Sequence, residues 1–199
     1  MSAEKQVEFR SCAHMLELRA DDNDPSLVGY AAVFDDTVEI RDGYFERIVG
    51  GAFERSLKDA DIRALWNHDT NIVLGRTKNG TLNLHEDDHG LAVEIFPGIH
   101  AASFVDMVRR GDVNQMSFGF TVKKHDIEMG EDGSLTRTLL DVDLMEVSPV
   151  TFPAYANTEI AVRSMQEWEQ KRWNEAQAND LAIDADIRYR RLWLMRQGG

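Results

Sequence analysis

Between residues 28 and 163 the chain consists of short apolar runs closed off by clusters of Gly, Asn and Asp, and this punctuation constrains the fold more than any other feature. The runs 28–34, 62–67, 81–85, 91–96, 116–124, 137–147 and 159–163 read as strands. Lys78-Asn79-Gly80 and Asp87-Asp88-His89-Gly90 read as turns, and Gly130-Glu131-Asp132-Gly133 as the tip of a long hairpin. Two helices are predicted, over 51–58 and 99–110. The second opens after Pro97-Gly98, carries Phe104, Met107 and Val108 at helical spacing, and stops at Gly111. Many strands and few helices predict a mainly-β (α+β) fold: a closed or nearly closed antiparallel β-barrel with short helices around it.

From Met165 the pattern changes. Residues 165–196 hold no Gly or Pro, and the segment carries three of the four Trp residues in a Glu-, Gln-, Arg- and Ala-rich setting that favours helix. Asn179-Asp180 divides it into two candidate helices, with Asp180 as an N-cap. The predicted organisation is therefore a β domain over 1–163 and a helical C-terminal extension over 164–199. That extension balances six acids against six bases, so the net charge of −13 lies wholly in the first 163 residues. Such an acidic body argues against a nucleic-acid partner, because phosphate binding needs clustered Lys and Arg.

Cys12 is the only cysteine, so no internal disulfide and no CxxC metal or redox pair is available, and a reducing compartment is the simplest setting. No apolar run approaches the roughly 18 residues of a membrane span. Residues 1–9 are polar and of mixed charge, unlike a signal peptide, so the expected location is cytoplasmic.

Three segments carry groups suited to acyl transfer. In Gln115-Met116-Ser117-Phe118-Gly119-Phe120, alternation puts Met116, Phe118, Phe120 and Val122 on one face and Ser117, Gly119 and Thr121 on the other. Gly119 leaves room beside the hydroxyl, although a Ser on a polar strand face reads the same way. His68, in Trp66-Asn67-His68-Asp69, lies just beyond an apolar run and suits a general base, or simply a surface turn. Leu140, Val142, Leu144 and Glu146 share a face by parity. A buried carboxylate continuing an apolar row needs a partner, either an imidazole or an Arg such as Arg76; the other reading puts Glu146 at the strand's solvated end. For Ser117 and Glu146 to meet, both faces of the sheet must be partly dry, which outer helices would provide. His85-Glu86-Asp87-Asp88-His89 offers zinc ligand types, but in a turn rather than on the helix that an HExxH site requires.

Taken in order, these segments resemble the phage prohead (procapsid) maturation proteases. Arg109-Arg110-Gly111-Asp112 leading into Met116-Ser117-Phe118-Gly119-Phe120 is similar to the family's nucleophile signature. Trp66-Asn67-His68-Asp69 with Leu74-Gly75 is similar to its His motif, and Glu146-Val147-Ser148 with Pro153-Ala154 to its third motif. Gly29-Tyr30-Ala31-Ala32-Val33-Phe34 matches the opening strand, while Ile99-His100-Ala101-Ala102 departs from the usual helix.

The resemblance implies a serine endopeptidase with Ser117, His68 and Glu146 as catalytic residues and no cofactor. Its implied substrates are the major capsid protein precursor and scaffold segments, and the protease itself, inside the assembling procapsid. It also implies a dimer or weak self-association. By analogy with the herpesvirus maturation proteases, oxyanion donors are expected within 148–157. A catalytically inactive structural relative, or a small-molecule-binding barrel, are the competing classes.

Overall fold

The computed structural model describes residues 7–12, 16–19 and 25–152, with Gln170 and Asn174 in helical conformation. The predicted strand at 159–163, the extension 164–199 as a whole and the loop beyond Phe152 lie outside the described residues. The chain divides into two units, Met1–Ile160 and Ala161–Gly199, and every strand among the described residues falls in the first.

Among the described residues of this unit, eleven strands and two α-helices follow one another: β1 (Glu8–Cys12), β2 (Glu17–Arg19), β3 (Ser26–Val33), β4 (Val38–Arg41), β5 (Tyr44–Ile48), α1 (Glu54–Asp59), β6 (Arg63–Trp66), β7 (Asp69–Arg76), β8 (Leu82–Glu86), β9 (Gly90–Ile95), α2 (Ala102–Arg109), β10 (Gln115–Met129) and β11 (Leu135–Val150). The mainly-β expectation holds, and α1 and α2 fall where the two helices were predicted. β1, β2, β4, β5 and β7 are not among the strands read from the sequence; β1, β2 and β4 carry at most two apolar residues each.

A closed antiparallel barrel is not found. The strands form two sheets, β2-β3-β9-β8 and β1-β10-β11-β5-β4, and the second branches because β6 also pairs with β11 and carries β7. Both β5 and β6 run parallel to β11, on Leu135–Leu139 and on Glu146–Val147 respectively. Helix α1 and the turn before it occupy the gap between them. The Val142 amide donates to the Ala52 carbonyl (3.0 Å), Ser56 Oγ donates to the Val142 carbonyl (2.7 Å), and the Leu144 amide donates to Ser56 Oγ (3.0 Å). Backbone groups that a continuing strand would have paired are satisfied by a helix instead, so the sheet forks rather than closes.

The apolar core joins the two sheets, with Leu27, Leu91 and Ile95 from one and Met116, Phe118, Phe120 and Val147 from the other. Phe34, Phe53, Phe118 and Phe120 form a row with successive ring centroids 6.3, 5.6 and 5.0 Å apart. On the same sheet a charged cluster is buried: Glu8 and Arg10 of β1, Glu46 of β5 and Arg137 of β11. Arg10 forks onto Glu46 (2.6 and 3.0 Å) and reaches Glu8 (2.8 Å), while Arg137 bonds both carboxylates at 3.1 Å. Two acids against two bases leave no net buried charge, the condition under which such burial is tolerated.

Candidate active site

β10 and β11 are joined in antiparallel register, with Ser117 opposite Ser148 and Gly119 opposite Glu146. Residues directly opposite point to the same face. The next pair is Phe120 with Leu144, so Met145 is an extra residue and β11 bulges there. This bulge corrects the parity read from the sequence. Leu144 and Val142 face the core with Phe120, whereas Glu146 is turned onto the face of Ser117 and Gly119. The wedge at Met145 is also the reason that side chain is 47% exposed between buried neighbours.

His68 reaches this face from the β6–β7 hairpin. Trp66 pairs with Asp69, leaving Asn67 and His68 as a two-residue turn with φ of 52° and 62°. Both central residues at positive φ define the hairpin turn that matches strand twist, and Asn and His tolerate that region better than most residues. The turn is tied to β11. The Asn67 amide donates to the Pro149 carbonyl (3.0 Å), and its side chain accepts from the Thr151 amide (2.8 Å) and donates to Thr151 Oγ1 (3.1 Å). Arg76, the alternative partner for Glu146, pairs with Asp61 instead (Nε–Oδ1 2.7 Å). The Arg76 guanidinium holds the Asp61 carboxyl down at about 2, and the pair fastens the base of the same hairpin.

His68 Nδ1 lies 2.7 Å from Glu146 Oε1. With Nδ1–H donating to the carboxylate, the neutral ring keeps its lone pair on Nε2. Ser148 completes the support: its hydroxyl donates to Glu146 Oε2 and accepts from the His68 amide (3.3 Å). Ser148 is fully buried, so the carboxylate is oriented from two sides.

Ser117 is on this face but does not bond to His68. Its Oγ donates to the Arg10 carbonyl (2.9 Å), and the residue is fully buried. His68 Nε2 is shielded from solvent and has no hydrogen-bond partner among the described residues. An imidazole nitrogen left this way costs about 1–3 kcal/mol. The face was expected to be dried by helices; β1 does it instead. Phe9 lies opposite Gly119 with its ring centroid 4.5 Å from that of His68.

Gly119 is required by this packing. A Cβ there would lie 2.6 Å from Glu146 Oε1 and 2.9 Å from the Phe9 ring. Gly119→Ala is expected to displace the carboxylate and to lower thermal stability by about 1–3 kcal/mol, read by thermal unfolding, together with any Ser117-dependent activity. Unchanged values for both would contradict the contact.

Sequence reading gave no supporting role to Ser148, which it quoted only within the third motif, or to Phe9 and Arg10. The first was within reach, because Glu-x-Ser spacing places both side chains on one face of a strand. The other two belong to a segment with no apolar period. His85, His89, Asp87 and Tyr30 line a separate hollow on β3, β8 and β9. No group of three or more His, Cys, Asp or Glu placed to hold a metal ion occurs among the described residues. No helix among them is long and apolar enough to cross a membrane.

A hydroxyl, an imidazole and a carboxylate carried on one sheet face are the parts that serine hydrolases use. The chain belongs to the caudovirus prohead serine protease family, whose model matches residues 14–171. No curated protein and no solved structure gives a match.

Proposed function

We propose that this chain is a serine endopeptidase that trims capsid and scaffold precursors, and itself, within the assembling procapsid in the host cytoplasm. Ser117 Oγ attacks the scissile carbonyl carbon as its proton passes to His68 Nε2, and Glu146 orients the ring and stabilises the imidazolium. His68 then gives that proton to the departing amine as the C–N bond breaks. Water, deprotonated by the same nitrogen, releases the acyl group and restores Ser117.

One observation carries this reading: the 2.7 Å His68–Glu146 pair, which leaves a buried Nε2 with no partner among the described residues on the face that holds Ser117. An imidazole locked in that tautomer is the base such chemistry needs, and membership of the serine protease family supports the assignment. The extension 164–199 serves in this reading as a packaging, scaffold-contact or self-cleaved segment.

The test is covalent labelling. A fluorophosphonate probe incubated with the full chain should be recovered on the peptide containing Ser117, with no label in Ser117→Ala. Label on another residue, or none in a folded form whose site is open, would favour the inactive structural relative.

A further inference from the structure

We propose that β1 is a removable cover seated where an extended substrate peptide binds, so that this fold is the closed, latent form of the site. The inference rests on the assignment of Ser117 and His68 above and goes beyond it. It concerns what holds the peptide and what keeps the site shut.

Four observations converge. β1 pairs with Ser117 itself, placing Ser11 opposite it and Phe9 opposite Gly119. The Ser117 hydroxyl donates its hydrogen bond to the Arg10 carbonyl, a main-chain carbonyl of the strand that lies beside it. A hydroxyl donating there has no proton aimed at His68. His68 Nε2 is left buried with no partner among the described residues, while the Phe9 ring closes over the imidazole. Finally, β1 lies upstream of residue 14, where the family match begins.

The strand is also built to detach. It is five residues long and sits at the end of its sheet with β10 as its strand neighbour, so its departure leaves the β10–β11 ladder whole. Glu8 and Arg10 leave together, as one acid and one base. The Glu46–Arg137 contact at 3.1 Å stays behind, also neutral. Among the described residues of the cluster, release therefore leaves acid and base in balance, which removes the usual obstacle to opening a buried ion cluster. What it exposes is a row of β10 main-chain donors and acceptors beside Ser117, the template to which an extended peptide adds as a strand. The ligand class is thus a peptide of about five residues held by its backbone, with one side chain over His68 and Gly119 in the position of Phe9.

The experiment compares the rate of fluorophosphonate labelling in the full-length chain, in Phe9→Ala and in Arg10→Ala, with folding checked by circular dichroism. A site open only part of the time reacts more slowly by that fraction, so both variants should label Ser117 at least about tenfold faster than the parent. A synthetic peptide of residues 7–11 should restore the slow rate. Folded variants that label at the parent rate would overturn the proposal.

If Arg10→Ala does not fold, Phe9→Ala and hydrogen exchange on the parent chain carry the test. The β1 amides must then exchange through an opening that leaves the β10–β11 ladder protected. Exchange of β1 only with global unfolding would overturn the proposal. Demonstrated opening of β1 with no labelling of Ser117 would leave the cover standing and remove the protease reading beneath it.

Discussion

Ser117→Ala should reduce cleavage of a capsid precursor by at least about a thousandfold while leaving the fold intact. Removing the nucleophile of a triad eliminates the acyl-enzyme route altogether, and what survives is the modest acceleration from binding and oxyanion contacts. The stability cost is small, because Ser117 contributes one hydrogen bond to the Arg10 carbonyl, worth about 1 kcal/mol. Alanine fills the same buried position beside Gly119 without strain. Mass spectrometry of the precursor co-expressed with each form reads the outcome. Processing at the parent rate by the alanine form would end the assignment of Ser117.

Glu46→Ala should destabilise the chain by about 3–5 kcal/mol, the cost of breaking a buried ion pair from one side. In a chain of this size that corresponds to a fall of about 10 °C in the thermal midpoint. Glu46 is 5% exposed and is the carboxylate on which Arg10 forks and to which Arg137 also donates. Its loss leaves two guanidinium groups facing Glu8 alone. Burial pulls the Arg10 guanidinium down while Glu46 and Glu8 raise it, with a net upward shift that depends on both acids. The expense lies in the charge left behind rather than in the pair lost, so Glu46→Gln, which also removes the charge, should fall nearly as far. A midpoint within about 2 °C of the parent, measured by calorimetry, would show that the cluster is not closed to water.

The two variants probe different layers of one sheet. Ser117 belongs to the face with Gly119, Glu146 and Ser148; Glu46 and Arg137 belong to the opposite face with Arg10. β1 alternates between them, with Phe9 on His68 and Arg10 in the ion cluster. A five-residue strand thus contacts both the His68 face and the ion cluster.

Much of this was legible in the chain. The period-2 runs around Ser117 and Leu144 marked β10 and β11, and turn residues placed the β8–β9 and β10–β11 hairpins and the bounds of α2. Ser117, His68 and Glu146 were each named from their segments, and Glu146 and His68 are in contact. Parity misplaced Glu146, because a single inserted residue at Met145 reverses every face beyond it and leaves no local signature. Phe9 and Arg10 were passed over because their segment gains its role from distant partners: Glu46 lies 36 positions from Arg10, Ser117 lies 107 from it, and Arg137 lies 129 from Glu8. The expected barrel is not found: between β5 and β6, α1 and the turn before it take the β11 backbone groups at Val142 and Leu144 in place of a strand.

Sequence alone marked β3, β6, β8, β9, β10 and β11 as strands and named the three residue types that could share acyl-transfer chemistry. Both depend on local patterning: side-chain alternation, turn residues, and a hydroxyl, an imidazole and a carboxylate in order. Tertiary structure alone decided which face each group occupies, what buries it and whether the hydroxyl meets the imidazole. Those are set by strand register and by the bulge, which depend on pairing between distant segments. A hydrogen bond goes to whichever acceptor the fold brings within reach, and here the fold offers Ser117 the carbonyl of Arg10.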